Sequence, residues 1–356
     1  MADPRGNILF SRNADQSLIP ASTLKLLTSL AARHHLGSDH RFMTEFYLDA
    51  ENNLKIKGYG DPFLISEVIS DIAETLAPKV EHCGDLVLDD SYFAEVVIPG
   101  VTSSFNPYDS PNGALCANFN TVNFRCRGRK CTSAEPQTPF VSCVVDRVCE
   151  SGLSKGRIVL SAENNETTLY TGYLFRHFLE KREGVSFTGK VRMGKVTEKD
   201  RLIYRYTSIF SLDQILSKLL EFSNNFVANQ LFIAAGAAAY GPPGTLEKGI
   251  RAAEAYMHET LKGETIHIEE GSGISRGNRI TARSMLKILE RFKPHHRLMT
   301  HRSGQYYKTG SLSNVKTRAG FMENAAGELY PFVVLVNTPG KSTDRILSRI
   351  RRILTN

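Results

Sequence analysis

The sequence lacks any run of about 18 apolar residues, so no segment of it reads as a membrane-spanning helix. Its opening, Met1-Ala2-Asp3-Pro4-Arg5-Gly6, carries no apolar leader core. Dense basic stretches are missing until the very end, where Arg349, Arg351 and Arg352 stand close together, and the formal net charge of +7 is otherwise scattered. A terminal run of that kind reads as a solvated helix face, which excludes nucleic acid as an expected partner. The same helix allows at most a peripheral membrane association. No internal repeat and no low-complexity segment occurs. Cysteine is absent outside one stretch of 67 residues, which holds Cys83, Cys116, Cys126, Cys131, Cys143 and Cys149, and no pair has the Cys-x-x-Cys spacing of a zinc ribbon. Two readings survive, disulfides in an exported domain or buried thiols, and the connectivity stays open. His34-His35 and His295-His296 are adjacent pairs whose side chains diverge on a helix, with no third ligand in sight. No metal and no cofactor is expected.

What is present is an ordinary globular composition, 41% hydrophobic and 23% charged over 356 residues, enough for two domains or for one with a large insertion. Asn7 to Arg12 reads as a strand leading into a polar turn. A helix is predicted from Ala21, after Pro20, to a C-terminal cap at Gly37. Leu24, Leu26, Leu27, Leu30 and Ala31 make it apolar nearly all round, as in a helix buried inside a domain. Between residues 41 and 205 the texture changes to short strand-like segments (Phe42 to Leu48, Leu54 to Lys57, Asp85 to Leu88, Arg157 to Leu160) separated by Gly, Pro, Asn and Asp turns. The helical period returns over Leu212 to Phe222, Val227 to Ala239 and Leu246 to Leu261, and Thr281 reads as the N-cap of a helix through Phe292. Three strands (Gln305 to Ser311, Lys316 to Met322, Tyr330 to Asn337) and a helix from Thr343 close the chain. The simplest arrangement is one α/β domain built from residues 1–40 and 206–356, with a β-rich, cysteine-containing domain, 41–205, inserted into it.

Three short motifs carry chemistry. Ser22-Thr23-Leu24-Lys25 opens the buried helix, and residues three apart on a helix share a face, so hydroxyl and amine can meet. A buried lysine beside another cation is pushed toward its neutral form, able to take the serine proton. Ser223-Asn224-Asn225 falls in the break between two helices, where a hydroxyl can relay protons and an amide can hold a peptide. Lys308-Thr309-Gly310-Ser311 lies on an expected edge strand and offers a cation for a carboxylate, with a small residue where substrate backbone must come close. Each motif alone is weak. Ser284-Met285-Leu286-Lys287 and Ser313-Asn314-Val315-Lys316 repeat the first pattern, and Ser11-Arg12-Asn13 and Ser104-Phe105-Asn106 repeat the second. Context sets these copies aside. Ser284 and Lys287 read as a solvated helix face, Ser313 sits in a strand or turn, and the others lie in polar loops. Gly271 to Arg276 reads as a structural turn near the site.

The trio in this order is that of penicillin-binding proteins and class A β-lactamases. Pro20 to Thr28, Gly58-Tyr59-Gly60-Asp61-Pro62, Ser223 to Ala228, Gly271 to Arg276 and Lys308 to Leu312 together resemble the D-alanyl-D-alanine carboxypeptidase/endopeptidase family, the class C low-molecular-mass penicillin-binding proteins. About 200 residues separate the first two motifs, room for the inserted domain of class C members. The resemblance implies an α/β (α+β) penicillin-binding/β-lactamase-like transpeptidase fold, an antiparallel sheet covered by helices. It implies Ser22 as nucleophile, Lys25 as general base, and Ser223 and Asn225 lining the opposite wall. Lys308 and Thr309 would grip the terminal carboxylate, with Gly310 beside it and the amides of Ser22 and Ser311 as the oxyanion hole. The expected partners are peptidoglycan stem peptides, with β-lactams as covalent inhibitors. The expected activity is D-Ala-D-Ala carboxypeptidase, with endopeptidase cleavage of crosslinks as a second activity. The expected location is periplasmic or cell-wall-facing, after removal of a signal peptide. The alternatives are a β-lactamase, for which no water-activating glutamate stands out, and a catalytically silent peptidoglycan-binding protein.

Overall fold

The computed structural model describes residues 1–102, 104–128, 130–261 and 266–355. The first helix, α1 (Lys25–Leu36), continues from a 3-10 turn, Ala21–Leu24, and stops at Gly37, whose φ of +90° ends it. Next come β1 (Met43–Leu48), β2 (Leu54–Gly58), α2 (Ser66–Leu76), β3 (His82–Cys83), β4 (Leu86–Asp89), β5 (Thr121–Arg127), β6 (Lys130–Ser133), α3 (Val145–Glu150), β7 (Lys155–Val159), α4 (Glu166–Glu180), β8 (Ser186–Phe187), β9 (Val191–Met193) and β10 (Arg201–Thr207). The chain then runs through α5 (Leu212–Phe222), α6 (Asn225–Tyr240), α7 (Leu246–Thr260), β11 (Ile266–His267), β12 (Arg279–Ile280) and α8 (Ala282–Phe292). It closes with β13 (Thr300–His301), β14 (Gln305–Leu312), β15 (Val315–Glu323), β16 (Leu329–Val336) and α9 (Asp344–Thr355).

The sheet that matters for the site is antiparallel, in the order β13-β14-β15-β16. Helices cover both of its faces. Ala319 and Phe321 pack with Leu26, Leu27, Met285, Ile288 and Phe292 from α1 and α8, while Met322, Phe332 and Val334 pack under Leu347 and Ile350 of α9. A third cluster joins α5 and α6 through Leu212, Ile215, Leu216, Phe226 and Leu231, and it also takes in Phe93, Ala114 and Cys116.

The middle of the chain has its own core around Phe46, Ile56, Ile69, Leu88, Phe124, Phe175 and Leu179. Its five-stranded sheet, β10-β1-β2-β4-β9, is mixed: β1 is antiparallel to β10 and β2, whereas β2–β4 and β4–β9 are parallel. Parallel neighbours need crossover connections. Between β2 and β4 the chain carries α2, and between β4 and β9 it carries α4. Neither helix stands out among the turn residues that made this stretch look strand-rich. Cys126 and Cys131 are opposite each other in the β5–β6 hairpin and form a disulfide; Cys83 and Cys116 are buried thiols, and Cys143 and Cys149 are also unbridged.

The strand expected at Asn7 to Arg12 does not form. Ile8 makes only a single bridge to Ala2, and Ile8, Leu9 and Phe10 remain about half exposed. The Asp3 carboxylate accepts the amides of Arg5 and Asn7 and ties this stretch into a tight turn, leaving no neighbouring strand to pair with.

Candidate active site

Ser22 lies in the 3-10 turn that feeds α1, which brings it beside Lys25. The residue before it, Ala21, has φ +47°. A left-handed backbone at a non-glycine residue typically costs about 1–3 kcal/mol and persists only where the surroundings impose it. Here they do. The Pro20 carbonyl accepts from the hydroxyls of both Thr23 and Thr317 at 2.7 Å. Two glycines press on the same turn: a Cβ at Gly273 would stand 2.0 Å from the Ala21 carbonyl oxygen, and one at Gly310 would stand 2.8 Å from the Ser22 nitrogen. Gly310 is therefore what lets the edge strand lie against the Ser22 amide.

Lys25 is wholly buried. Its Nζ reaches three oxygens: Ser22 Oγ at 3.0 Å, Asn225 Oδ1 at 2.8 Å and the Ser272 carbonyl at 2.7 Å. Burial holds the amine well below the ordinary lysine range, Lys308 pushes in the same direction, and Glu270 opposes both. A neutral amine has two N–H bonds and one lone pair. Asn225 Oδ1 and the Ser272 carbonyl can only accept, so they take the two N–H bonds and leave the lone pair facing the Ser22 hydroxyl. That is the arrangement a general base needs.

The opposite wall is the break between α5 and α6. Ser223 ends α5 with φ +57°, and Asn224 caps α6 by accepting the Val227 amide at 3.1 Å. With the capping done by Asn224, Asn225 is left as the first helical residue, its side chain free to point inward. Its carbonyl oxygen meets Lys25, and its amide donates to the Tyr108 carbonyl at 3.3 Å.

The third side is β14. Its partner β13 reaches only Tyr306 and Tyr307, so Lys308 to Leu312 form an open edge. Strand alternation buries Lys308 and Gly310 beside the Ser22 turn and turns Thr309 and Ser311 outward. Lys308 donates to the Thr309 carbonyl at 3.0 Å, and burial pushes its amine down to about 8. Ser311 accepts from Lys316 at 3.2 Å.

Two residues at the site belong to none of the motifs. Glu270, fully buried, holds the turn that presents Ser272 to Lys25. It stands directly before the Gly271-Ser272-Gly273 block, which was the available signal. Tyr108 marks the rim of a groove of about 430 Å³ that also involves Phe222, Asn224, Asn225, Glu135 and Arg157, and no pattern in the sequence points to it. Arg276 donates to the Ser313 carbonyl at 2.5 Å, so it holds one turn against another. Ser284 requires a correction: rather than lying on a solvated helix face it is buried, its hydroxyl 2.7 Å from that of Thr281 at the start of α8, where the apolar side of that helix meets the core. Among the described residues no group of three potential metal ligands occurs.

A serine hydroxyl on a buried, depressed-pKa lysine, facing a Ser-x-Asn wall and a Lys-Thr-Gly edge strand, defines the class of serine enzymes that work through an acyl-enzyme. Within that class, the chain belongs to the D-Ala-D-Ala carboxypeptidase 3 (S13) family, whose model matches residues 4–145 and 152–304. The match stops short of Lys308. The chain is 26% identical to the D-alanyl-D-alanine carboxypeptidase DacB of Haemophilus influenzae, over 98% of this chain and 86% of that one. It is 27% identical to the D-alanyl-D-alanine carboxypeptidase of Actinomadura sp. strain R39, over 80% of this chain and 62% of that longer one. Among solved structures, penicillin binding protein 4 (dacB) of H. influenzae superposes with a TM-score of 0.77 at 23% identity, covering 96% of this chain and 90% of that one. The penicillin G-acylated predatory endopeptidase Bd3459 of Bdellovibrio bacteriovorus superposes with a TM-score of 0.57 at 17% identity, covering 97% and 87%. The mixed architecture with its helix-covered antiparallel sheet is thus the penicillin-binding fold. No helix among the described residues is long and apolar enough to cross a membrane.

Proposed function

We propose that this chain is a serine D-Ala-D-Ala carboxypeptidase acting on peptidoglycan stem peptides, with Ser22 as nucleophile. The observation that carries the reading is the Lys25 amine, buried and held by two pure acceptors so that its lone pair faces Ser22. Ser22 Oγ attacks the carbonyl of the penultimate D-alanine while Lys25 takes the hydroxyl proton. The backbone N–H groups of Ser22 and Ser311 receive the developing oxyanion, a class of contact typically contributing about 3–4 kcal/mol. The C–N bond then breaks, Ser223 passes the proton to the departing D-alanine amine, and water hydrolyses the ester to free Ser22. Lys308 and Thr309 hold the terminal carboxylate, and Asn225 holds the peptide of the acyl portion, which continues toward the groove at Tyr108. β-Lactams acylate the same serine, because their strained amide mimics the D-alanyl-D-alanine bond. We also infer that residues 1–40 and 206–356 form the peptidase unit and 41–205 the insertion, and that the enzyme works outside the cytoplasm, where its polymer substrate lies.

Intact-mass measurement after benzylpenicillin tests this directly. A persistent adduct on the wild-type chain that is lost in Ser22→Ala and Lys25→Ala, together with loss of D-alanine release from a stem-peptide mimic, is the expected result. Rapid turnover of the drug would make the chain a β-lactamase instead, and undiminished D-alanine release by Ser22→Ala would remove Ser22 from the chemistry.

A further inference from the structure

Among the described residues, Glu270 is the one carboxylate whose charge acts on the catalytic lysine, and nothing about the Ser-x-x-Lys, Ser-x-Asn or Lys-Thr-Gly motifs accounts for it. It is fully buried at the start of the turn that runs beneath Ser22. Oε2 accepts the Ser272 amide at 2.6 Å, while Oε1 accepts the Gly273 amide at 2.7 Å, the Ser275 amide at 3.3 Å and Asn278 Nδ2 at 2.7 Å. Four donors on one side chain fix the turn far more rigidly than its short length would. The same turn is pinned from outside, with the Gly271 amide on Asn229 Oδ1 at 2.7 Å and the Gly271 carbonyl on Thr28 Oγ1 at 2.6 Å. Its inner end presents the Ser272 carbonyl to Lys25 Nζ, and Gly273 closes onto the Ala21 carbonyl.

We propose that Glu270 is a positioning residue for acylation: it gathers the amides of Ser272, Gly273 and Ser275 so that the Ser272 carbonyl orients the Lys25 amine on Ser22, and its charge offsets the two lysines buried in one cleft. This rests on the reading of Ser22 and Lys25 as the acylating pair. The groups facing Lys25 are Lys308 from β14, Glu270 from the turn, the neutral Asn225 amide from α6 and the Ser22 hydroxyl. Lys308 and a protonated Lys25 would repel each other in this pocket, and the Glu270 carboxylate is the countercharge that offsets them. The same charge favours protonated Lys25. Glu270 therefore sets the pH at which the base becomes available as well as where it points.

The two effects separate in two variants. Glu270→Gln removes the charge and sets an NH2 group where an amide donor needs an acceptor. Lys25 then loses its proton more easily, so the acid limb of benzylpenicillin acylation should move to lower values by about one pH unit, while the plateau rate falls roughly tenfold or more through lost orientation. Glu270→Asp keeps the charge on a shorter stem, so its acid limb should stay in place while the plateau falls. A role confined to stability would lower the melting temperature of both variants and leave both limbs and plateaus at the wild-type position, which would overturn the proposal. An acid limb displaced equally in the two variants would also overturn it. If wild-type protein forms no penicillin adduct at all, the acylating reading has failed rather than the assignment of Glu270. If Glu270→Gln does not fold, the Glu270→Asp plateau, measured on folded protein, still decides the orienting role.

Discussion

Lys308 shows how burial assigns a working pH range to a single side chain. It is 3% exposed, and its amine is pushed down to about 8 by loss of hydration. To hold a substrate carboxylate it must be charged, and a lysine loses its charge as pH rises through its pKa. Carboxypeptidase kcat/KM on a carboxylate-ended peptide should therefore fall above pH 8 or thereabouts, through a rising KM. The same peptide ended by an amide, which has no charge for Lys308 to hold, should be a poor substrate with no such basic limb. Steady-state profiles on the two peptides check this, and an identical basic limb in both would assign it to another group. At this scale much of the candidate site's geometry was legible. Ser22, Lys25, Asn225 and Lys308 were visible because their chemistry is confined to short patterns. Glu270 and Tyr108 were not, since one acts through backbone amides of its own turn and the other contributes a carbonyl oxygen that any residue possesses.

At the scale of elements, the α5–α6 break divides two tasks between neighbouring asparagines. Asn224 supplies the helix cap, and Asn225 accepts from the buried Lys25 amine. Removing an N-cap typically costs about 1 kcal/mol, so Asn224→Ala should lower stability by that order and leave penicillin acylation within a few-fold of wild type. Asn225→Ala should do the reverse, changing stability little and slowing acylation by about 100-fold, the scale of loss that misplacement of a reacting group produces. Denaturant melts combined with acylation kinetics separate the two, and matched losses in both variants would show that capping and catalysis are not divided. The helices on either side of the inserted stretch were readable from their apolar residues and caps. The expected Thr281 cap and the α8 span are found as read, with Thr281 accepting the Ser284 amide. Inside that stretch α2 was missed although Val68, Ile69, Ile72 and Leu76 give it an apolar face, and α4 was missed because its Thr167, Thr168, Tyr170, Thr171, Gly172 and Tyr173 have poor intrinsic helix preference. α4 exists because Tyr170, Leu174, Phe175 and Leu179 pack into the core of the five-stranded sheet, a tertiary reward that local sequence does not display. At Ile8 to Phe10 the opposite occurred: the residues favour a strand, but no partner strand comes alongside.

For the molecule as a whole, the two passages of the chain at residues 40–43 and 206–208 join the middle sheet to the body that carries the site. Here Phe42 packs with the α5–α6 cluster, the Ser208 amide donates to the Phe42 carbonyl at 2.8 Å, and Arg41 donates to the Ser208 carbonyl at 2.8 Å. Asp61 is buried at this junction, accepting the Phe63 amide at 2.8 Å beside Ser208, and burial pushes its carboxyl up to about 6. The sign of the effect on stability follows. An unfolded aspartate loses its proton near pH 4, so between about 4 and 6 the folded state retains a proton that the unfolded state has released. Stability contributed at this site is therefore complete below about pH 4 and declines as pH rises to about 6, after which the folded protein carries a poorly hydrated charge. Asp61→Asn keeps an acceptor for the Phe63 amide and never ionises. A tenfold change in proton affinity corresponds to about 1.4 kcal/mol, so the substitution should stabilise the protein at pH 7 by about 2–3 kcal/mol and be neutral at about pH 4. Because Asp61 touches none of the groups around Ser22, penicillin acylation at neutral pH should be unchanged. Thermal melts of both proteins at the two pH values are the measurement; an equal gain at both would trace the effect to packing, and a loss at neutral pH would mean that the charged form of Asp61 is what holds the junction.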